Sequence, residues 1–318
     1  MRAARTQAAI ILSSLLLAAC ANQIPIHQPL SGAARDGLAA TDVVVPIQQS
    51  EIFVFVPQSN GASVAMGGGL LGALVDAGID SVRTSKAEAA VTPLRNAMVD
   101  YSFDNTLQGE LKSSLGQVVW LHPGSFGVVR DISNDGLNKQ LAASHAAAVL
   151  FVVADYRLSN DGGVLLVTLQ AALIPNNDQL RALRVAKHDD KTPVALVNAL
   201  YRNRIVFEAH VNGTGDRDKN IAEWSAGNGS AIRAALSMGV KKLVPLLVDD
   251  LQRAEGDVAP AANAPQVAVG APSEVSDCVL APSEAQCGIN AVVLGQDQDG
   301  QVLRFKDGSL KYLKTGNF

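Results

Sequence analysis

The pattern of hydrophobic and polar positions predicts three strands in the middle of the chain, two of them mainly aliphatic and one alternating. Val149 to Leu158 is the first aliphatic run, and Val164 to Ile174 follows it after a turn of Asn, Asp and two glycines at 160–163. These turn residues favour a tight hairpin, so the two runs are predicted to pair. Tyr201 to Val211 alternates between apolar and polar positions and is predicted to be a third antiparallel strand. Its polar face carries Arg202, Arg204, Glu208 and His210.

Shorter apolar runs at 43–45, 52–56 and 118–121 predict three further strands. Helices are predicted at 92–101, 104–115 and 133–147 from capping residues and apolar spacing. A long helix is predicted from the apolar stripe between Ile232 and Leu251, with a bend at Pro245. A loop at 225–230 is expected to open that helix, and the acidic pairs at 189–190 and 249–250 are expected to lie in solvated loops or helix ends.

The C-terminal region has its own pattern. Asp-Gly pairs at 299–300 and 307–308 are hairpin signals that divide 289–314 into three short strands. Pairing across the second turn is expected to bring four apolar residues onto one face of the hairpin, namely Leu303, Phe305, Leu310 and Tyr312. The other face would carry a basic strip, made of Arg304, Lys306, Lys311 and Lys314. This strip could meet anionic lipid headgroups or phosphates on glycans, or it could be simply solvated.

We therefore predict an α/β (α+β) fold, in which a mixed sheet with an antiparallel meander is packed by helices. The predicted domain spans 43–252 and includes a Gly/Ala-rich segment at 61–82. A linker rich in alanine and proline follows at 253–276. Residues 277–318 are predicted to form a small, disulfide-linked β module.

The N-terminus has the order of a secretory signal. Arg2 and Arg5 precede an apolar run from Ala8 to Leu17, and two alanines lead from there to Cys20. The run Leu-Ala-Ala-Cys at 17–20 resembles the lipobox of bacterial lipoproteins.

That resemblance implies a signal peptide at 1–19, which is removed, and a mature chain that begins at Cys20. It also implies that Cys20 is lipidated, with acyl chains such as palmitate, and that 20–42 acts as a tether. Ala21, rather than Asp, follows the cysteine. By the same resemblance, this residue directs the protein to the outer membrane, facing the periplasm.

The order of predicted elements also resembles the α/β domain of envelope lipoproteins such as the curli-secretion channel and the activators of peptidoglycan synthases. The likeness includes 146–158, where small residues lead into an aliphatic strand that ends in Asp-Tyr-Arg-Leu.

Once Cys20 takes lipid, Cys278 and Cys287 remain as an even pair in a compartment that permits disulfides. We expect them to be bridged; two free thiols are the alternative. The spacing does not fit a zinc site. The 318-residue chain has a net charge of −4 and only 4% aromatic residues, so its core should be aliphatic. No electrostatic footprint for nucleic acid is present.

The Gly/Ala-rich segment contains a stripe of small residues with a four-residue repeat. Its members are Ala65, Gly69, Ala73 and Ala77, with Gly68 and Gly72 beside them. On a helix this stripe would be a seam for close helix contact. A packed soluble segment, a contact between copies and membrane association all remain open. The glycines at 67, 69 and 72 lie too far after the preceding strand for a dinucleotide site.

No metal, cofactor or catalytic residue is predicted, since the five histidines are dispersed and no nucleophile motif is present. The expected function is that of a non-catalytic, lipid-anchored accessory of the envelope, with envelope proteins or further copies of itself as partners. One alternative is an oligomeric pore or assembly component that uses the seam. Another is an envelope hydrolase with an unrecognised active site.

Overall fold

The computed structural model describes residues 26–55, 85–184, 198–253, 265–268 and 290–318. The predicted signal peptide at 1–19 and the Gly/Ala-rich segment at 61–82 lie outside these ranges. The helices are α1 (Gly32–Asp36), α2 (Ser85–Ala97), α3 (Phe103–Leu115), α4 (Asn134–Ala143), α5 (Asp178–Arg181) and α6 (Arg217–Gln252), with a 3-10 helix at Val119–Leu121. The strands are β1 (Thr41–Pro46), β2 (Phe53–Val54), β3 (Pro123–Val129), β4 (Ala148–Leu158), β5 (Val164–Pro175), β6 (Tyr201–His210), β7 (Gln266–Ala268), β8 (Asn290–Gln296), β9 (Gly300–Arg304) and β10 (Leu310–Asn317).

All of these strands belong to one mixed sheet, in the order β3-β1-β4-β5-β6-β10-β9-β8-β7, with β2 paired to β4. The strands β4, β5 and β6 form the predicted antiparallel meander, and Leu169 of β5 lies opposite Ile205 of β6. Strand β1 is parallel to β3 and β4, and β10 is parallel to β6. The prediction of a mixed sheet with a meander, packed by helices, is therefore confirmed.

The main hydrophobic core lies on one face of this sheet. The predicted alternation in β6 holds, because Tyr201, Ile205 and Phe207 are all buried in this core. Helix α6 packs against β5, β6 and β10, and α2 and α3 pack in turn against α6. The helix comes very close to the sheet at Gly239, where an added Cβ would lie 3.0 Å from the ring of Phe207.

The opposite face of the sheet is covered near the start of β4 by helix α4. Leu137 and Leu141 of this helix pack on Val149, Phe151 and Ile174. Ser133 caps the helix by accepting a hydrogen bond from the backbone of Gly136. The further end of this face carries the polar side chains of the meander.

Three predicted elements differ from the structure, and one of them is the helix predicted at 133–147, which ends at Ala143. Residues 119–121 form a 3-10 helix rather than a strand, with Val119 exposed and Leu121 buried. His122 then takes a left-handed backbone with a φ of 44°, and the strand begins at Pro123 instead. The helix predicted from residue 92 begins at Ser85, with proline inside it.

The long helix α6 continues through Pro245, the position of the predicted bend. Its backbone departs from helical geometry only between Ala226 and Gly229. Gly227, Asn228 and Gly229 all have positive φ there, which glycine and asparagine tolerate best. The predicted loop at 225–230 therefore corresponds to this break, and a further helical segment precedes it.

The C-terminal strands β7–β10 continue the main sheet and do not form a separate module. Strand β10 pairs with β6 over Leu310–Leu313, and β7 lies within the predicted linker. Three strands are present after residue 289, as predicted, and Lys311 lies opposite Leu303. The described residues contain no disulfide, and both cysteines of the proposed pair lie outside them. Among the described helices, none combines the length and the apolarity that a membrane crossing requires.

Candidate functional site around Asp250

The first described residues run along the start of β6. Gln28 and Arg202 exchange two backbone hydrogen bonds of 2.9 and 3.0 Å, and Gln28 Nε2 donates to the carbonyl of Ala199 at 2.8 Å. Leu30 is completely buried in the main core. Residues 28–42 are therefore part of the domain, and this corrects the prediction of a tether that extends to residue 42.

Helix α1 fixes this N-terminal segment to the end of α6. Ser31 caps α1, and Arg35 Nη2 donates to the carbonyl of Gln252 at 2.9 Å. The Arg35 guanidinium also lies 4.9 Å from the ring centroid of Trp120. Since carbonyls at a helix C-terminus carry partial negative charge, this cation is well placed.

Asp250 is the centre of a buried polar cluster next to this segment. Its Oδ2 accepts hydrogen bonds from Tyr201 at 3.0 Å and Asn203 at 2.7 Å, and its Oδ1 accepts one from Arg304 at 2.6 Å. His27 Nε2 lies 3.3 Å from Oδ2. The carboxylate thus joins the N-terminal segment, β6, the end of α6 and β9.

These contacts fix the protonation state of the cluster. Burial alone would raise the pKa of the Asp250 carboxyl, but His27 and Arg304 outweigh burial and lower this pKa to about 2. Burial and the neighbouring carboxylate raise the pKa of Tyr201 well above its ordinary value. Asp250 is therefore ionised, and Tyr201 remains a neutral donor, at any physiological pH.

The turn between β9 and β10 lies directly against His27. Gly308 has a φ of +84°, and a Cβ added there would lie 2.4 Å from the Cβ of His27. Asn203 Nδ2 also lies 3.4 Å from the Gly308 carbonyl. Only glycine satisfies both the backbone conformation and the space, so the turn and the N-terminal segment fit together tightly.

The sequence held a signal for this cluster that the interpretation of residues 249–250 missed. Asp250 falls on the apolar stripe of α6, beside Leu247 and Leu251, and is 1% exposed. Asp249 lies on the outer side and is exposed. The expectation of a solvated helix end is thus wrong for Asp250, whose burial is stabilised by the Arg304 cation and by hydrogen-bond donors from distant parts of the chain.

A second charged cluster lies on the opposite face of the sheet. Glu208 accepts from Lys311 Nζ at 2.7 Å, and His210 Nε2 lies 2.9 Å from its other oxygen. Burial would raise the pKa of Glu208, but His210 and Lys311 lower it to about 2. The His210 side chain is 37% exposed, so one end of this cluster is open to solvent.

The same face carries a buried ion pair between neighbouring positions of β4. Arg157 Nη1 donates to Asp155 Oδ2 at 2.9 Å, and the Arg157 guanidinium lies 5.1 Å from the ring of Phe55. Burial dominates here and raises the pKa of Asp155 despite the nearby cations. In the described part of the chain, each of the three most buried carboxylates therefore has a cationic partner.

The C-terminal hairpin is joined to α6 by an ion pair at the surface. Lys242 Nζ lies 2.7 Å from Asp297 and 3.0 Å from Asp299, and Tyr312 donates to Asp297 at 2.6 Å. The lysine ammonium occupies the space between two carboxylates. It lowers the pKa of Asp297, together with the Tyr312 bond.

The predicted basic strip does not form one surface. Arg304 faces Asp250 and Lys311 faces Glu208, on opposite faces of the sheet, and both are buried. Lys306 is exposed at the β9–β10 turn, and Lys314 bonds to nearby carbonyls. The prediction of a basic strip was wrong because Leu310, and not Lys311, lies opposite Arg304. This register puts Leu303 and Leu310 on different faces.

The other predicted site residues lie outside the described ranges. They are Cys20, Cys278, Cys287 and the seam of Ala65, Gly68, Gly69, Gly72, Ala73 and Ala77. Within the described ranges, His, Cys, Asp and Glu side chains form no cluster that could hold a metal ion. The Asp250 cluster holds a saturated carboxylate among fixed donors. Its chemistry is that of a structural cross-link at one end of the sheet.

No protein-family model and no curated protein matches the chain. Two solved structures are similar to it, both of PelC dodecamers from Paraburkholderia phytofirmans, one of them a variant. Their TM-scores are 0.25 and 0.24, each at 11% sequence identity and each over 71% of this chain. The aligned regions cover 94% and 95% of those chains. Similarity at this level carries no inference about fold, assembly or activity.

Proposed function

We propose that the chain is a lipid-anchored protein of the cell envelope, held at the outer membrane through Cys20. It acts as a non-catalytic accessory that binds other envelope proteins or further copies of itself. The observation that carries the proposal is the order of residues 1–20, which resembles a lipoprotein signal followed by its cysteine. Shortly after it, from Gln28, the chain is hydrogen-bonded to the domain.

The arrangement of buried charge supports a binding role over catalysis. Asp155, Glu208 and Asp250 are each held by a cation in the described structure. A general acid or base must come within hydrogen-bonding distance of a substrate. These carboxylates are instead bonded to other parts of the fold. Lipidation would confine the domain to the membrane surface and raise its effective concentration toward neighbouring proteins.

The anchor is tested by replacing the lipidated thiol. A Cys20→Ser chain should lose incorporation of an alkyne-labelled fatty acid and leave the membrane fraction, whereas Cys278→Ser should retain both. Unchanged membrane fractionation and labelling of Cys20→Ser would overturn the anchor. Crosslinking in intact cells then tests the accessory role. Products should depend on Cys20, and masses at multiples of the chain would identify self-association.

We further propose that Cys278 and Cys287 form a disulfide. Alkylation of the denatured, unreduced protein should then leave both thiols unmodified, and prior reduction should expose two. Modification of both cysteines without reduction would contradict the bridge. The Cys20→Ser chain is the suitable material, because it removes the third thiol from the measurement.

A further inference from the structure

The end of the domain that holds His27 is fixed by contacts described above. His27 lies against Asp250 and against the backbone of Gly308, and Gln28 is bonded to Arg202 and Ala199. At this end lie the start of β6, the end of α6 and the β9–β10 turn. We call this the His27 end.

The chain between the proposed anchor and this end is short. Seven residue steps separate Cys20 from His27, and fully extended they span at most about 25 Å. A flexible chain of that length has a typical end-to-end distance of about 15 Å. The His27 end cannot leave the membrane surface by more than this reach.

Two exposed side chains at this end suit a lipid surface. Lys306 is exposed at the tip of the β9–β10 turn, two residues from the glycine that touches His27. Leu183 is 37% exposed, is followed by Arg184, and has Arg181 two positions before it. It is placed at this end by Arg184, which donates to Asn198 at 3.0 Å next to the Gln28 contact. At a lipid surface, a lysine ammonium can contact the phosphates of the headgroups, and a leucine can enter the apolar part of the membrane interface.

We infer that the His27 end rests on the bilayer, with Lys306 at the phospholipid headgroups and Leu183 at the interface. The inference rests on the proposed lipid anchor and adds an orientation to it. The opposite end of the strands then faces the periplasm. That end carries the β4–β5 turn and the start of α6, which are joined where Asn220 Nδ2 donates to the Asp161 carbonyl at 2.8 Å.

The orientation is tested on the lipidated protein in vesicles of phosphatidylethanolamine and phosphatidylglycerol. Flotation first shows whether the chain is anchored, and failure to float would reject the proposed function itself. Floated protein is then acetylated briefly, and each lysine is quantified by mass spectrometry. The reference is Cys20→Ser protein mixed with the same vesicles.

Lys306 should react at least about fivefold more slowly in the anchored protein than in the reference, through contact with the headgroups. Lys219 is the matched control, because its side chain is 71% exposed and it lies at the start of α6. Its rate should not change. Equal rates for Lys306 in the two samples, with flotation intact, would overturn the orientation and leave the anchor standing.

A second measurement is independent of lysine chemistry. The half-buried Trp120 lies beside Arg35 at the same end, so it is first replaced by phenylalanine. In this background, Leu183→Trp protein in vesicles of brominated lipid should show a quenched fluorescence component, because the remaining Trp224 is buried at the β4–β5 turn. Val99→Trp is the control, since Val99 is 88% exposed and lies next to the contact between the Ala97 carbonyl and Arg233, near the middle of α6 and well before Asp250. Equal quenching of the two variants would contradict the orientation.

Discussion

Asp250 and Arg304 form a bond of 2.6 Å that is almost wholly buried, with side-chain exposures of 1% and 3%. It links the last turn of α6 to strand β9, which are far apart in the sequence. Because both charges are out of water, neither tolerates the loss of the other. Several consequences of this and related contacts can be measured.

Replacing Asp250 should be far more damaging than replacing its neighbour. Asp250→Asn leaves the Arg304 cation buried without a carboxylate and should lower the free energy of unfolding by about 3–5 kcal/mol. Asp249→Asn changes an exposed residue and should alter it by less than about 0.5 kcal/mol. Urea unfolding of the two variants makes the comparison, and equal effects would show that Asp250 is solvated.

The Glu208–Lys311 pair should respond differently to one substitution than to two. Glu208→Gln strands a buried ammonium and should cost about 3–5 kcal/mol, while Glu208→Gln combined with Lys311→Met should recover most of that loss. Chemical denaturation at neutral pH measures both. A double variant no more stable than the single one would argue against the pair.

The same pair predicts a pH dependence. The folded pKa of Glu208 is about 2, below its ordinary 4.5, so the unfolded chain binds its proton more readily. Its stabilising contribution is complete above about pH 5 and is lost as the pH falls toward 2. The unfolding free energy of the native chain should therefore fall relative to that of the double variant over that window. A constant difference would contradict the lowered pKa.

Two glycine-to-alanine changes in helices should have opposite signs. Gly239→Ala places a methyl group 3.0 Å from Phe207 and 3.2 Å from Val167, so it should destabilise the fold by about 1–3 kcal/mol. Gly109→Ala adds a methyl with nothing within 4 Å and should stabilise by about 0.5–1 kcal/mol. Thermal unfolding of both variants measures the two effects. A stabilising effect of Gly239→Ala would mean that α6 lies further from the sheet.

The contact between Gly308 and His27 predicts energetic coupling. Gly308→Ala should destabilise through both its left-handed backbone and the collision with His27. His27→Gly removes the Cβ and the ring that the new methyl group would meet, but leaves the backbone strain at position 308. A double-mutant cycle should therefore give a coupling of about 1 kcal/mol or more. Additive effects would show that the N-terminal segment does not sit on the turn.

Much of the fold follows from local sequence signals. The meander was predictable because β4 and β5 are long aliphatic runs joined by a turn of Asn, Asp and Gly residues, and because β6 alternates between apolar and polar positions. The break in α6 was marked by its glycines. These features depend on neighbours in the sequence, so periodicity and turn residues suffice to find them.

The polar cluster could not be found in that way. Asp250, Arg304 and His27 come from three distant parts of the chain, and only the packing of α6 against β6 and β9 brings them together. The hairpin at 307–308 was recognised, but its register was wrong by one position. A shift of one residue moves every side chain to the other face. For this reason Arg304 and Lys311 do not share a surface, and each forms a buried ion pair on its own face of the sheet.

The position of β10 between β6 and β9 sets the order in which the molecule can assemble. Leu310 pairs with Ile205, so the middle of the sheet stays open until residues 310–317 have arrived. His27 in turn can reach its final position only after the β9–β10 turn has formed, because Gly308 of that turn packs against it. A chain threaded across a membrane from its N-terminus would therefore emerge with its first segment unseated, and its sheet would form late in export. Such long-range pairing is slow to form and exposes unpaired strand edges meanwhile.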